Sequence, residues 1–270
     1  MSSETIRAIT AIVVLMVLVL LRLQAEQFGA AEYDEPGGRY RGSLWTRLAW
    51  YGLGLGMLAV VYRVHPQPHD ILFLVVGNHV DVFTFGLSLG AIGAAQAAVF
   101  AWFRYGQLRL PGPRAYPGAT LNVVATAIID EATFRGALQG LLLAAGLPDG
   151  GAILAQAVIY TLATRTAAPG RPRYMALLSL GMGIAFGWAT FKTGGIGAAI
   201  LAHTVTSFAL FVFTGHAGQV APRGREPEER AALVQPEGWH DVRRRDAATP
   251  DAGRRDAVGG TGSARPDEQN

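Results

Sequence analysis

The sequence predicts an all-α fold: a polytopic bundle of about seven transmembrane helices followed by a disordered C-terminal tail. Composition is the first reason. Half of the 270 residues are hydrophobic, 16% are charged and the mean hydropathy is +0.26, too apolar for a soluble domain of this size. The second reason is run length, since several apolar stretches approach the roughly 20 residues that cross a bilayer. The third is the placement of acids. From Pro36 to Val220 only Asp70, Asp81, Asp130, Glu131 and Asp149 occur, whereas Ala221 to Asn270 hold ten acids and nine arginines. Two solvents are implied, hydrocarbon for the first part and water for the second.

Taken in order, the first run is Ile6 to Leu23, a retained helix whose Arg7 and Arg22 snorkel to the interfaces. Leu44 to Tyr62 follows, with Trp45, Trp50 and Tyr51 as interfacial aromatics. Ile71 to Val76 leads through Asn78, His79 and Asp81 into the third span, Val82 to Phe103; the leading part reads as a surface helix or a first half-turn. Thr120 to Ala145, an unusually short Ala152 to Ala163, Tyr174 to Phe191 and Ile196 to Phe213 complete the seven. Thr193, Gly194 and Gly195 form a tight turn that makes the last two spans antiparallel neighbours and carries His203 back into the bundle. Glycines four apart (Gly86 and Gly90, Gly136 and Gly140, Gly183 and Gly187) predict close internal helix packing rather than a dimer face.

Arginine placement sets the orientation, because cytoplasmic loops are enriched in Lys and Arg near span ends. Seven spans put Arg22, Arg39, Arg41, Arg47, Arg104, Arg109, Arg114, Arg165, Arg171, Arg173 and the tail on one side, and leave only Arg7, Arg63 and Lys192 on the other. The expectation is an integral membrane protein of a bacterial plasma membrane, N-terminus outside and C-terminus cytoplasmic. Residues 1–219 form the transmembrane domain. Residues 220–270, nearly free of large apolar side chains, form a disordered cytoplasmic tail. The absence of cysteine excludes disulfides, thiolate metal sites and a cysteine nucleophile. No stripe gathers the arginines, so no nucleic-acid partner is expected. The expected partners are the lipid bilayer and a peptide or protein substrate, free or attached to the membrane.

Charges inside a span are costly and mark function. Asp130, Glu131 and Arg135 sit mid-span, with Glu131 and Arg135 one helical turn apart and able to pair. The bland reading is a structural ion pair. Asp130 weighs against it, because one arginine cannot neutralise two buried carboxylates. His203, early in the last span, shares a face with Ser207. A lone histidine on an apolar helix is more often a satisfied core residue, but here water is excluded and carboxylates stand on another span. His79 with Asp81 is a weaker pair at a membrane edge, and His65, His69, His216 and His240 read as solvated.

At these residues the sequence resembles the CPBP family of intramembrane proteases, also called the CAAX prenyl protease or Abi family. Its first motif, two glutamates followed after three residues by arginine, is similar to Asp130-Glu131-Ala132-Thr133-Phe134-Arg135, continuing with Gly136. Its last, a histidine with asparagine four residues on, is similar to His203 with Ser207, after Gly187-Trp188-Ala189-Thr190-Phe191-Lys192-Thr193-Gly194-Gly195. The second, an aromatic followed by histidine, falls on Tyr160 and Thr164. The resemblance covers residues 120–211. It implies a metalloendopeptidase in which Asp130 or Glu131 activates water, Arg135 orients the carboxylate, His203 positions the water or a metal, and Ser207 supports the oxyanion. Its substrates would be C-terminal peptides of prenylated proteins or leader peptides of secreted ones.

Three positions depart from the pattern: Asp130 for glutamate, Thr164 for histidine and Ser207 for asparagine. Threonine does not replace imidazole as a zinc ligand, so a divalent ion, zinc by expectation, would have to be held by Asp130, Glu131 and His203. The departures support a second reading, a non-catalytic scaffold or chaperone that keeps the family's fold. A proton-coupled transporter is a third, without the internal repeat that class favours.

Overall fold

The computed structural model describes residues 2–23, 44–108, 110–113, 116–167 and 173–215. Arg39, Arg41, Arg109, Arg114, Arg171, His216, His240 and the predicted tail lie outside the described residues. Within them the chain is helical, with no strand. The helices are α1 (Ser3–Leu23), α2 (Leu44–Val64), a short α3 (Pro68–Ile71), α4 (His79–Tyr105), α5 (Tyr116–Glu131), α6 (Gln139–Ala144), α7 (Asp149–Ala167), α8 (Arg173–Thr193) and α9 (Gly197–Thr214). A π-helical segment, Ala132–Leu138, joins α5 to α6 without a break. Each predicted apolar run is helical. Three of them, α1, α4 and α9, are long and apolar enough to cross a membrane by length and composition.

The packing is that of a protein whose outside is apolar. The buried face of α4 is Val82, Gly86, Gly90, Gly93, Ala97 and Ala101, while Phe83, Leu87, Ile92, Val99, Trp102 and Phe103 point outward. Small residues inside and large ones outside invert the soluble pattern and suit lipid, where close backbone approach replaces the hydrophobic drive. The largest interface is α4 on α9. There a Cβ on Gly86 would meet Leu201, one on Gly90 would meet Val205, and one on Gly93 would meet the Thr206 hydroxyl at 1.9 Å, so the two helices run parallel. On α8, Gly183 faces Ala157 and Gly187 faces Gln156 and Ile153 of antiparallel α7. The paired glycines thus serve internal packing.

Four sequence expectations are corrected. The stretch before α4 is neither a surface helix nor a half-turn. Residues 72–78 run irregularly through the fold, and their backbone polar groups find partners: Phe73 N donates to Gly136 O (3.1 Å), Asn78 N to Thr193 O (3.0 Å), and Val75 O and Val76 O accept from Ile196 N and Gly197 N. Such backbone is tolerated in a membrane protein only when protein covers it. Glycine makes this possible. A Cβ on Gly140 would lie 2.1 Å from Ile71 O, and Gly77 sits at φ +89. Second, the fifth helix is not short; α7 has 19 residues, because Gln156 and its threonines dilute the hydropathy without interrupting the helix. Third, Tyr51 does not face outward as Trp45 does but is buried, its hydroxyl bonded to Asn122 of α5. Fourth, His65 is not solvated. It is 4% exposed, Gln67 N donates to its Nδ1, and Arg7 donates to the Val64 and His65 carbonyls that end α2.

Candidate active site

The site is built around the point where α5 passes into the π segment. A π turn widens the helix and shifts its hydrogen bonds to i→i+5, a feature that recurs at functional sites. Here it follows directly after Asp130 and Glu131 and carries Arg135. Asp130, Glu131, Arg135 and Gln139 are all buried, with Glu131, Arg135 and Gln139 fully so.

The two adjacent carboxylates diverge, as consecutive helical residues about 100 degrees apart must. Glu131 turns to α9: its Oε1 accepts from His203 Nδ1 at 2.7 Å and lies 3.2 Å from Arg135 Nη1. Its Oε2 is buried without a hydrogen-bond partner among the described residues. Asp130 turns the other way, to α1, where Arg22 holds it in a bidentate pair, Nε to Oδ1 at 2.8 Å and Nη2 to Oδ2 at 3.1 Å. Arg22 therefore does not snorkel to an interface. It is the second cation that the sequence reading found missing. The signal was present as a charge deficit, two mid-span acids against one mid-span arginine, which requires a cation from another helix.

Aromatic rings close the polar centre. The Arg135 guanidinium lies 4.1 Å from the Tyr160 ring centroid and 5.8 Å from that of Phe186, in cation–π range. Phe186 stands 6.1 Å from the His203 ring, and Phe134 packs edge-on against Tyr160. The aromatic of the second motif is thus part of the site. Thr164, in the place of that motif's histidine, is buried and spends its hydroxyl on Thr161 O of its own helix (3.0 Å). Gln139 and Gln156 donate to the carbonyls of Gly187 and Gly183, and the absence of a side chain at Gly187 leaves room for both amides against the α8 backbone. Ser207 is half-buried one turn beyond His203, with no hydrogen bond to the other site residues. His79 and Asp81 stand at the start of α4, with His79 exposed and neither joined to this centre.

A catalytic zinc needs three converging protein ligands and an open position. Among the described residues no three His, Cys, Asp or Glu side chains come together. The set Asp130, Glu131 and His203 does not fit a single ion, since Arg22 draws Asp130 to the α1 side while Glu131 and His203 meet on the α9 side.

What the geometry defines as a class is a helical membrane protein with an ionisable carboxylate–histidine centre enclosed in its bundle. The comparison with known families is narrower: residues 113–209 match the family model described as Rce1-like, type II CAAX prenyl endopeptidase Rce1-like. Over this segment, about a third of the chain, the sequence is similar to that family, at the same residues that carry the motifs. No curated protein and no solved structure matches the chain.

Proposed function

We propose that this protein is an intramembrane peptidase of the CAAX-processing type, built as a seven-span bundle with its N-terminus outside. The helix directions support that topology: α1 and α2 pack antiparallel through Leu15 on Val61 and Leu18 on Leu58, α7 and α8 are antiparallel, and α4 and α9 are parallel, as alternate spans require.

One observation carries the peptidase reading, the part-buried 2.7 Å hydrogen bond between Glu131 and His203. A carboxylate oxygen accepts, so Nδ1 donates and Nε2 is left as the acceptor of the ring, the arrangement by which a carboxylate readies histidine as a base. The roles read from sequence shift accordingly. His203 Nε2 takes a proton from water while the water oxygen bonds to the scissile carbonyl carbon and the carbonyl electron pair moves onto its oxygen. When that pair returns, the C–N bond breaks and His203 passes the proton to the leaving nitrogen. One water is consumed, and an acid and an amine are formed. Glu131 stabilises the imidazolium and Arg135 holds Glu131, both as positioning residues, and the Ser207 hydroxyl serves the oxyanion. By resemblance, the substrate is the C-terminal peptide of a prenylated, membrane-attached protein. Incubating the purified protein in liposomes with a prenylated tetrapeptide in heavy-oxygen water tests the reading. One heavy oxygen in the new carboxyl group supports it, and recovery of intact peptide counts against it.

The second reading, a non-catalytic scaffold, has its own observation. Asp130, at the position of the family's first glutamate, is bound to Arg22, and Thr164 offers no imidazole. Intact peptide together with a co-purifying membrane protein partner supports that alternative.

A further inference from the structure

A cleft opens between α4 and α8, lined by Leu89, Gly93, Gln96, Gly181, Met182 and Phe186 among others. Its inner wall, Phe186, is the ring that stands against both Arg135 and His203, so the cleft borders the site with one side chain between them. Two of its lining residues are glycines. A Cβ on Gly181 meets nothing within 4 Å, so this position faces open space. Gln96 is exposed on α4, a helix apolar enough to cross a membrane, and makes no hydrogen bond to the described residues. An unpartnered amide facing hydrocarbon is costly, because nothing there replaces the hydrogen bonds water would make. A lipid tail offers such an amide nothing, whereas a peptide backbone offers both a donor and an acceptor.

We infer that this cleft seats the substrate peptide beside the scissile bond, with Gln96 hydrogen-bonded to its backbone and Gly181 setting the size of the side chain admitted. The inference rests on the peptidase reading and names the groove that such a substrate would occupy. The test measures binding and cleavage separately in the full chain reconstituted in nanodiscs, with a fluorescent prenylated tetrapeptide as probe. The series Gly181→Ala, Gly181→Leu, Gly181→Trp fills the cleft in steps from a position with free space around it, so the early members keep the fold. The expected result is a Kd that rises with side-chain size, by about tenfold or more at tryptophan, and a similar loss in Gln96→Leu. A Kd that stays flat across folded members of the series overturns the inference, as does a wild-type protein that binds no peptide or a series that displaces bound phospholipid while leaving the peptide Kd unchanged. Binding without cleavage in the wild type, still graded by Gly181, upholds the groove and removes the peptidase reading. Cleavage with the same KM across the series does the reverse.

Discussion

Arg22→Ala removes the partner of Asp130 and leaves a carboxylate buried without its cation. The Asp130 side chain is 2% exposed and that of Arg22 12%. Breaking a buried pair from one side typically costs 3–5 kcal/mol, because the remaining charge is uncompensated. Arg22 and Asp130 also line a narrow cleft between α1, α2 and α5, and Arg22 keeps some exposure. The lower end, about 3 kcal/mol, is therefore expected. Replacing both residues by leucine removes the stranded charge along with the pair and should recover most of that loss, since apolar replacement of a buried ion pair is often close to neutral. The assay is equilibrium unfolding in mixed micelles followed by tryptophan fluorescence, with Arg22→Ala, Asp130→Ala and the double alanine variant closing a cycle beside the double leucine variant. A loss below about 1 kcal/mol in Arg22→Ala, or strict additivity in the cycle, would refute the claim that this pair ties α1 to the motif helix.

Further outcomes follow from the same structure. Gly140→Ala should be severely destabilising, because its Cβ would lie 2.1 Å from the backbone oxygen of Ile71, whereas Gly52→Ala, with nothing within 4 Å, should gain a few tenths to about 1 kcal/mol from helix propensity; thermal melts of the two variants decide. Burial, aided by the nearby Arg7 charge, holds the His65 pKa below its ordinary 6.5. The unfolded chain then binds the proton first, so stability is unaffected above pH 6.5 and declines as pH falls below it. Unfolding curves at pH 7.5 and 5.5 should separate in the wild type and approach each other in His65→Leu, and equal sensitivity in both would assign the effect elsewhere. Because no three metal-binding side chains converge among the described residues, a chelator such as EDTA should leave peptide cleavage within about a factor of two. Loss of activity that returns on adding zinc would contradict the geometry proposed here.

Much of the fold was legible because hydrocarbon makes composition speak plainly. Seven apolar runs became helices, and the glycine pairs located close packing. The irregular stretch before α4 was not legible, since its partners, Gly136 and the turn around Gly195, are distant in sequence and only the assembled bundle brings them together. In the site, the four-residue spacing placed Glu131 with Arg135, and the membrane argument singled out His203. Which of two adjacent carboxylates His203 meets depends on helix rotation, and the π segment that follows Glu131 has no reliable sequence mark. Arg22 reads as interfacial from the sequence because it stands near a helix end. The tertiary contacts place it beside Asp130, deep enough that α2 runs on past it to bring Tyr51 to Asn122.

The central claim is that Glu131 and His203 act as one unit in hydrolysis. The most direct measurement is kcat and KM for cleavage of a prenylated peptide by wild type, Glu131→Gln, His203→Ala and the double variant, each checked for folding. Residues acting as a unit are strongly non-additive, so His203→Ala should lower kcat by about a hundredfold or more, Glu131→Gln by a comparable factor, and the double variant by little beyond the worse single. Cleavage unchanged in His203→Ala, or losses that multiply in the double variant, would contradict the account.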